Sequence, residues 1–172
     1  MQDINAIQFD NPQEKFKTVL EGIGGVLIVT DDLQQVTEFV NTNFREGNKY
    51  ITSIAELKGI EKINHDEDAH KLEDVEVAII SGAFAVAENS AIWITASSLQ
   101  TRALPFICQH LVVVLHQQDI VHNMHEAYDR IADENYDYGV FIAGPSKTAD
   151  IEQSLVLGAH GPKTMTVFSL ST

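Results

Sequence analysis

The sequence predicts an α/β fold, layered, with a largely parallel central sheet flanked by helices, and three observations carry that expectation. Short unbroken apolar runs, Val26-Leu27-Ile28-Val29 and Leu111-Val112-Val113-Val114-Leu115 among them, recur along the chain. Unbroken apolar runs of this length suit strands buried on both faces. Between the runs lie stretches with apolar residues at helical spacing, such as Leu33, Val36, Phe39, Val40 and Phe44. Glycine-rich turns separate the two patterns, and their alternation is that of strand–helix–strand units.

Taken in order, Pro12 suits the first turn of a helix over residues 12–21 that places Phe16, Val19 and Leu20 on one face. Gly22, Gly24 and Gly25 end it, ahead of a strand at 26–29 and a helix at 31–44. The Gly24-Gly25 pair precedes its strand, whereas a nucleotide-binding turn follows one. A short strand near Tyr50-Ile51 leads to a polar stretch, residues 61–73, holding His65, Asp66, Glu67, Asp68 and His70. It lacks the glycine turn and spaced ligands of a hard-metal loop, so it reads as a solvated acidic loop and no metal is assigned.

Strands are expected at 75–80, 92–95, 111–115, 138–143 and 164–170. A helix is expected over 119–135, with Ile120, Val121, Met124, Ala127, Tyr128 and Ile131 inward and His122, His125 and Glu126 on an exposed face. Cys108 and His110 invite a dyad reading, although positions two apart need not face one another.

The most chemically suggestive stretch runs from Gly144 to Pro162. Gly144 permits close backbone approach, while Ser146 and Thr148 offer hydroxyls and Lys147 a positive charge. A short helix is expected to follow, whose first N–H groups attract an anion. Asp150 with Gln153 forms a variant capping box that competes with that role, and a well-capped helix entry closed by Gly158 is the plainer alternative. Ligands of open parallel sheets sit at the carboxyl ends of the strands, where this reading puts the turn.

At 172 residues the chain fits one domain spanning 1–172, with residues 1–20 as an N-terminal helical extension. A net charge of −14 argues against a nucleic-acid surface, because phosphate backbones are bound by clustered Lys and Arg. No apolar stretch approaches membrane-spanning length, and Met1 to Asn5 lack the features of a signal peptide, so a cytoplasmic location is expected. The one cysteine, Cys108, precludes an internal disulfide and an iron–sulfur cluster held by this chain alone.

The run GPSKTADIE, then LVLGAHGP, then a terminal strand resembles the signature of the LUD domain family, the lactate-utilisation proteins of the LutC/YkgG type. The resemblance extends to an Ala-Glu between two strands, at Glu88, and to Arg102, Leu104-Pro105, His110 and the valine-rich run, in that order. It is close over about the last hundred residues and loose before them. It implies the NagB/RpiA/CoA-transferase-like fold and a ligand site drawn from Arg102, Gly144, Ser146, Lys147, Thr148, Asp150, Glu152, His160 and Gly161.

Glu88-Asn89-Ser90 also resembles the Glu-Asn-Gly stretch that carries the catalytic glutamate of coenzyme A transferases, with Ser90 in place of the glycine. Glu88 is therefore the candidate catalytic residue, as nucleophile, base or hydroxyl anchor, beside the alternative of a turn residue bonding nearby N–H groups. Arg102 suits a carboxylate or phosphate, or equally a loop salt bridge. The resemblance further implies a cofactor-free subunit of a bacterial system that oxidises L-lactate to pyruvate, with iron–sulfur clusters in partner proteins. A stand-alone enzyme or binding protein for a small anionic, phosphate or CoA ligand is the other reading, and a homo-oligomer is open under both.

Overall fold

The computed structural model of the chain describes residues 7–45, 47–63, 72–132, 134–149, 155–158 and 160–171. Six strands form a central sheet in the order β1 (Val26–Thr30), β12 (Thr164–Leu170), β7 (His110–His116), β4 (Val75–Ser81), β2 (Lys49–Thr52) and β3 (Glu61–Lys62). Every neighbouring pair is parallel.

Such a sheet must be covered on both faces, and successive side chains supply both. On one face Val77, Ile79, Val112, Val114 and Phe168 pack with Val36 and Val40 of α2 (Gln34–Asn43). On the other, Ala78, Ile80, Leu111, Val113 and Val167 meet Phe16 and Leu20 of α1 (Pro12–Gly22), together with a second sheet. Asn11 caps α1 by accepting the Glu14 N–H at 3.1 Å, with Pro12 in the first turn as expected.

The second sheet has the order β8 (Ile120–Val121), β5 (Phe84–Val86), β6 (Ile92–Thr95) and β9 (Gly139–Ile142). It contributes Ala85, Ile92, Ile94 and Ile120 to the shared core. Its outer face packs Phe84, Val86 and Trp93 against Ala127 and Ile131 of α5 (Met124–Ala132). Two short helices, α3 (Ala96–Leu99) and α4 (Leu104–Ile107), follow β6, and β10 (Lys147–Ala149) pairs antiparallel with β11 (Leu155–Leu157).

Three sequence expectations need correction. The helix over 119–135 begins only at Met124, because Ile120 and Val121 pair with Ala85 and Val86 and Asn123 stops the strand by capping α5. The Asn123 side-chain oxygen accepts the N–H groups of His125 and Glu126 at 3.0 and 3.1 Å, and Tyr128 is left 61% exposed.

The helix expected after the Gly144 turn is also absent from the described residues there. Lys147 to Ala149 and Leu155 to Leu157 are instead strands paired antiparallel with each other. Finally, the inner flank of the central sheet is largely a second sheet, built from strands of two to four residues that are too short to show a period. The acidic stretch from Asn64 to Lys71 lies outside the described residues.

The β6–β9 pair is closed by a glycine. Gly139 lies against the indole of Trp93, and a Cβ there would stand 2.1 Å from Trp93 Cζ2. Gly139→Ala is expected to cost about 1–3 kcal/mol through overpacking. Urea unfolding checks this, and an unchanged midpoint would contradict the packing.

Candidate functional site

Of the described ligand candidates, Ser146 and Gly161 meet in one turn with Gly144 and Lys147 beside them, whereas Arg102 lies apart on Tyr138. Gly144 takes φ +67, and its backbone runs so close to Ile23 that a Cβ would stand 2.6 Å from Ile23 Cδ1. Only glycine suits that conformation and that gap. Ser146 donates its N–H to the Pro162 carbonyl at 2.9 Å and accepts the Gly158 N–H at 3.2 Å, while Gly161 packs on its Cβ. The Ser146 amide is thus spent within the turn and is not presented to an anion.

Exposed Lys147 reaches back to Gly24, its Nζ 3.3 Å from where a Cβ on Gly24 would stand. Thr148 lies in β10 and His160 is exposed, whereas Asp150, Gln153 and Glu152 lie outside the described residues. The turn leads into β12, so it sits at the amino edge of the central sheet, not at the carboxyl edge expected for it.

Glu88 occupies the exposed turn between β5 and β6, and its carboxylate accepts the Met124 N–H at 3.3 Å at the start of α5. Its own N–H donates to the His122 carbonyl at 3.2 Å. These are the contacts of a structural cap. Ser90, in the place of the transferase glycine, adopts φ +56, so the backbone keeps a conformation that glycine favours although the residue has changed.

His122 and Glu126 are likewise committed. His122 Nδ1 accepts the Phe9 N–H at 3.0 Å, and Glu126 accepts from Gln8 Nε2 at 2.6 Å and from the His122 N–H at 2.9 Å. They dock the N-terminal segment onto α5. Among the described residues no group of three His, Cys, Asp or Glu is placed to hold a metal.

Arg102 packs on a residue that lines a cavity, without lining that cavity itself. Its guanidinium lies over the Tyr138 ring at 4.9 Å from the centroid, a cation–π contact, where the sequence suggested a carboxylate partner. Tyr138 forms part of the wall of a cleft of about 610 Å³ between the end of β6 and the approach to β9. The volume falls within the range of small-molecule sites.

On one side of the cleft stand Thr95, Ser97 and Ser98, with Thr95 Oγ1 2.8 Å and 3.1 Å from the two serine hydroxyls. On the other are Tyr136, Glu134 and Asp137. The Ala96 N–H donates to the Tyr138 carbonyl at 2.9 Å, tying the two sides together. The readable signal was the hydroxyl-rich run Thr95-Ala96-Ser97-Ser98 directly after a strand, which the sequence reading passed over. A second cleft, about 350 Å³, opens at the carboxyl edge of the central sheet beside Ser81, His116 and Glu56, but its wall is largely leucine, isoleucine and valine.

The LUD domain family profile matches residues 17–169. The chain belongs to the LUD domain family. A crystal structure of a DUF162 family protein from Deinococcus radiodurans has the same fold, with a TM-score of 0.72 at 15% identity, covering 96% of this chain and 100% of that one.

Among curated relatives, this LUD domain is similar to a lactate utilization protein C from Bacillus pumilus, 30% identical over 105 residues. That stretch is 58% of this chain and 44% of the relative. A lactate utilization protein C from Halalkalibacterium halodurans is 23% identical over 169 residues, 93% of this chain and 69% of that protein. Among the described residues of this LUD domain, no helix is long and apolar enough to cross a membrane.

The Cys108 and His110 side chains of the LUD domain point to opposite faces of the sheet. Cys108 is buried in the core shared with the second sheet, and burial pushes its thiol up to about 12. His110 packs against Phe44 on the α2 side, ring centroids 4.7 Å apart and the planes tilted by 46°. Its Nδ1 is 2.7 Å from Thr164 Oγ1 and its Nε2 is 3.6 Å from Glu76 Oε1, linking the amino ends of β7, β12 and β4.

Burial lowers the His110 pKa and outweighs the opposing pull of Glu76, with Lys163 acting in the same direction as burial. A depressed imidazole pKa means the unfolded chain binds the extra proton more readily. The contribution is therefore present above the ordinary value of about 6.5 and is lost as pH falls through the lower folded value. His110→Gln is expected to flatten the loss of stability below neutral pH in urea titrations. An unchanged pH slope would contradict this account.

Proposed function

We infer that this LUD domain is a LutC-type component of a bacterial lactate-utilisation system, one that holds a small hydroxy acid without a redox centre of its own. The observation that carries the reading is the similarity to lactate utilization protein C, which extends along 93% of the chain in one relative. Cleft chemistry supports the ligand class: three hydroxyls line the cleft and suit an α-hydroxy carboxylate, and Arg102 packs on Tyr138 of its wall, a positive charge that can balance one negative charge. Glu134 and Asp137 line the same cleft and repel an anion more strongly the more negative charge it carries, which leaves a monocarboxylate less opposed than a phosphate or coenzyme A ligand.

In this proposal the oxidation of lactate to pyruvate takes its electrons through iron–sulfur partners. The chain's one cysteine is buried and its thiol is held protonated, so it offers no cluster ligation, and the system operates in the cytoplasm.

A melting-temperature series tests the ligand. A ligand at a hundredfold excess over its Kd adds roughly 2.7 kcal/mol to the folded state. L-lactate or pyruvate is expected to raise Tm, with the rise lost in Arg102→Ala and smaller or absent for inorganic phosphate and coenzyme A. A rise with coenzyme A alone, or a lactate effect indifferent to Arg102, would overturn the ligand assignment. Recovery of iron–sulfur proteins with the tagged chain from lactate-grown cells tests the system, and their repeated absence would overturn that part.

A further inference from the structure

The two edges of the central sheet are finished differently. β3, at one edge, is two residues long, charged and exposed, which blunts strand addition. β1, at the other, reads Val-Leu-Ile-Val-Thr, with no proline, no charge and no bulge, and pairs only with β12 among the described residues. Val26 is 48% and Val29 is 58% exposed along it. A long apolar edge with open N–H and C=O groups is a template for a further strand.

We propose that β1 pairs antiparallel with β1 of a second copy of this chain, about a two-fold axis through Ile28, so that the two central sheets become one. Opposed residues of an antiparallel pair must lie on the same face. Centring on Ile28 satisfies this along the whole strand, setting Val26 against Thr30 and Leu27 against Val29. Val29 then packs against Leu27 of the second copy on one face, while Val26 covers Thr30 of the second copy on the other.

Charge selects the same arrangement. Lys147 lies against Gly24 at the amino end of β1, while Asp31 and Asp32 follow its carboxyl end. In the Ile28-centred register Gly24 falls opposite Asp32 of the second copy, which brings each Lys147 to the other copy's aspartates. The contact occurs twice, as two-fold symmetry requires. A parallel pairing about a two-fold axis would set like charges together at each end instead. Such an interface is small, so the dimer forms with rising concentration.

Sedimentation of the intact chain across a wide concentration range tests this. Wild type is expected to pass from monomer to dimer, and Val29→Lys, at an exposed position, to stay monomeric with an unchanged circular dichroism spectrum. Lys147→Glu should weaken the dimer and the added Asp31→Lys should restore it; Asp31 is chosen because Asp32 caps the start of α2 by accepting the Gln34 N–H. A monomer at every concentration would overturn the proposal and leave the edge to a strand from another protein. A dimer that survives Val29→Lys, or one indifferent to both charge reversals, would overturn the surface or the register respectively.

Discussion

A parallel sheet cannot leave either face in water, because its strands are apolar on both sides and its connections must return over those faces. Everything else in this chain follows from how that requirement is met. The residues of β7 between its terminal histidines are buried throughout, alternately toward α2 and toward the second sheet. With helices sparse on the inner side, strands β5, β6, β8 and β9 close that face, and they must be positioned accurately over the core.

The cleft is a by-product of that closure. β6 and β9 run antiparallel, with Thr95 opposite Gly139, and the absent side chain at Gly139 lets Trp93 lie flat on the backbone. Just beyond this contact the chains diverge, β6 into the hydroxyl-bearing turn of α3 and β9 back toward Tyr138 and Tyr136. The walls are thus fixed by core packing, while the groups lining them remain free to differ without disturbing the sheet. A site built this way can serve different ligands on one fold.

Much of the central sheet was legible in the sequence, because β1 and β7 hold unbroken apolar runs of four and five residues, and β4 and β12 are apolar at most of their positions. The second sheet was not. Phe84 to Val86 and Ile120-Val121 are too short to carry a period, and the latter merges with the helical spacing of α5. The glycine, serine and lysine of the 144–147 turn looked like an anion cradle because sequence does not reveal where each amide points. Here the Ser146 N–H meets Pro162, and Lys147 to Ala149 form a strand paired with Leu155 to Leu157. Arg102 was identifiable as a chemically useful cation, but its seat on Tyr138 joins residues 36 apart and is set by the fold alone.

The claim on which the functional account turns is that the cleft between β6 and β9, and not the glycine turn at the amino edge, receives the ligand. Backbone amide NMR during titration with L-lactate addresses this directly. The account predicts saturable shift changes concentrated at residues 95–98 and 134–138, with residues 144–147 and 160–161 unmoved. Saturable changes confined to the glycine turn, with the cleft silent, would contradict it.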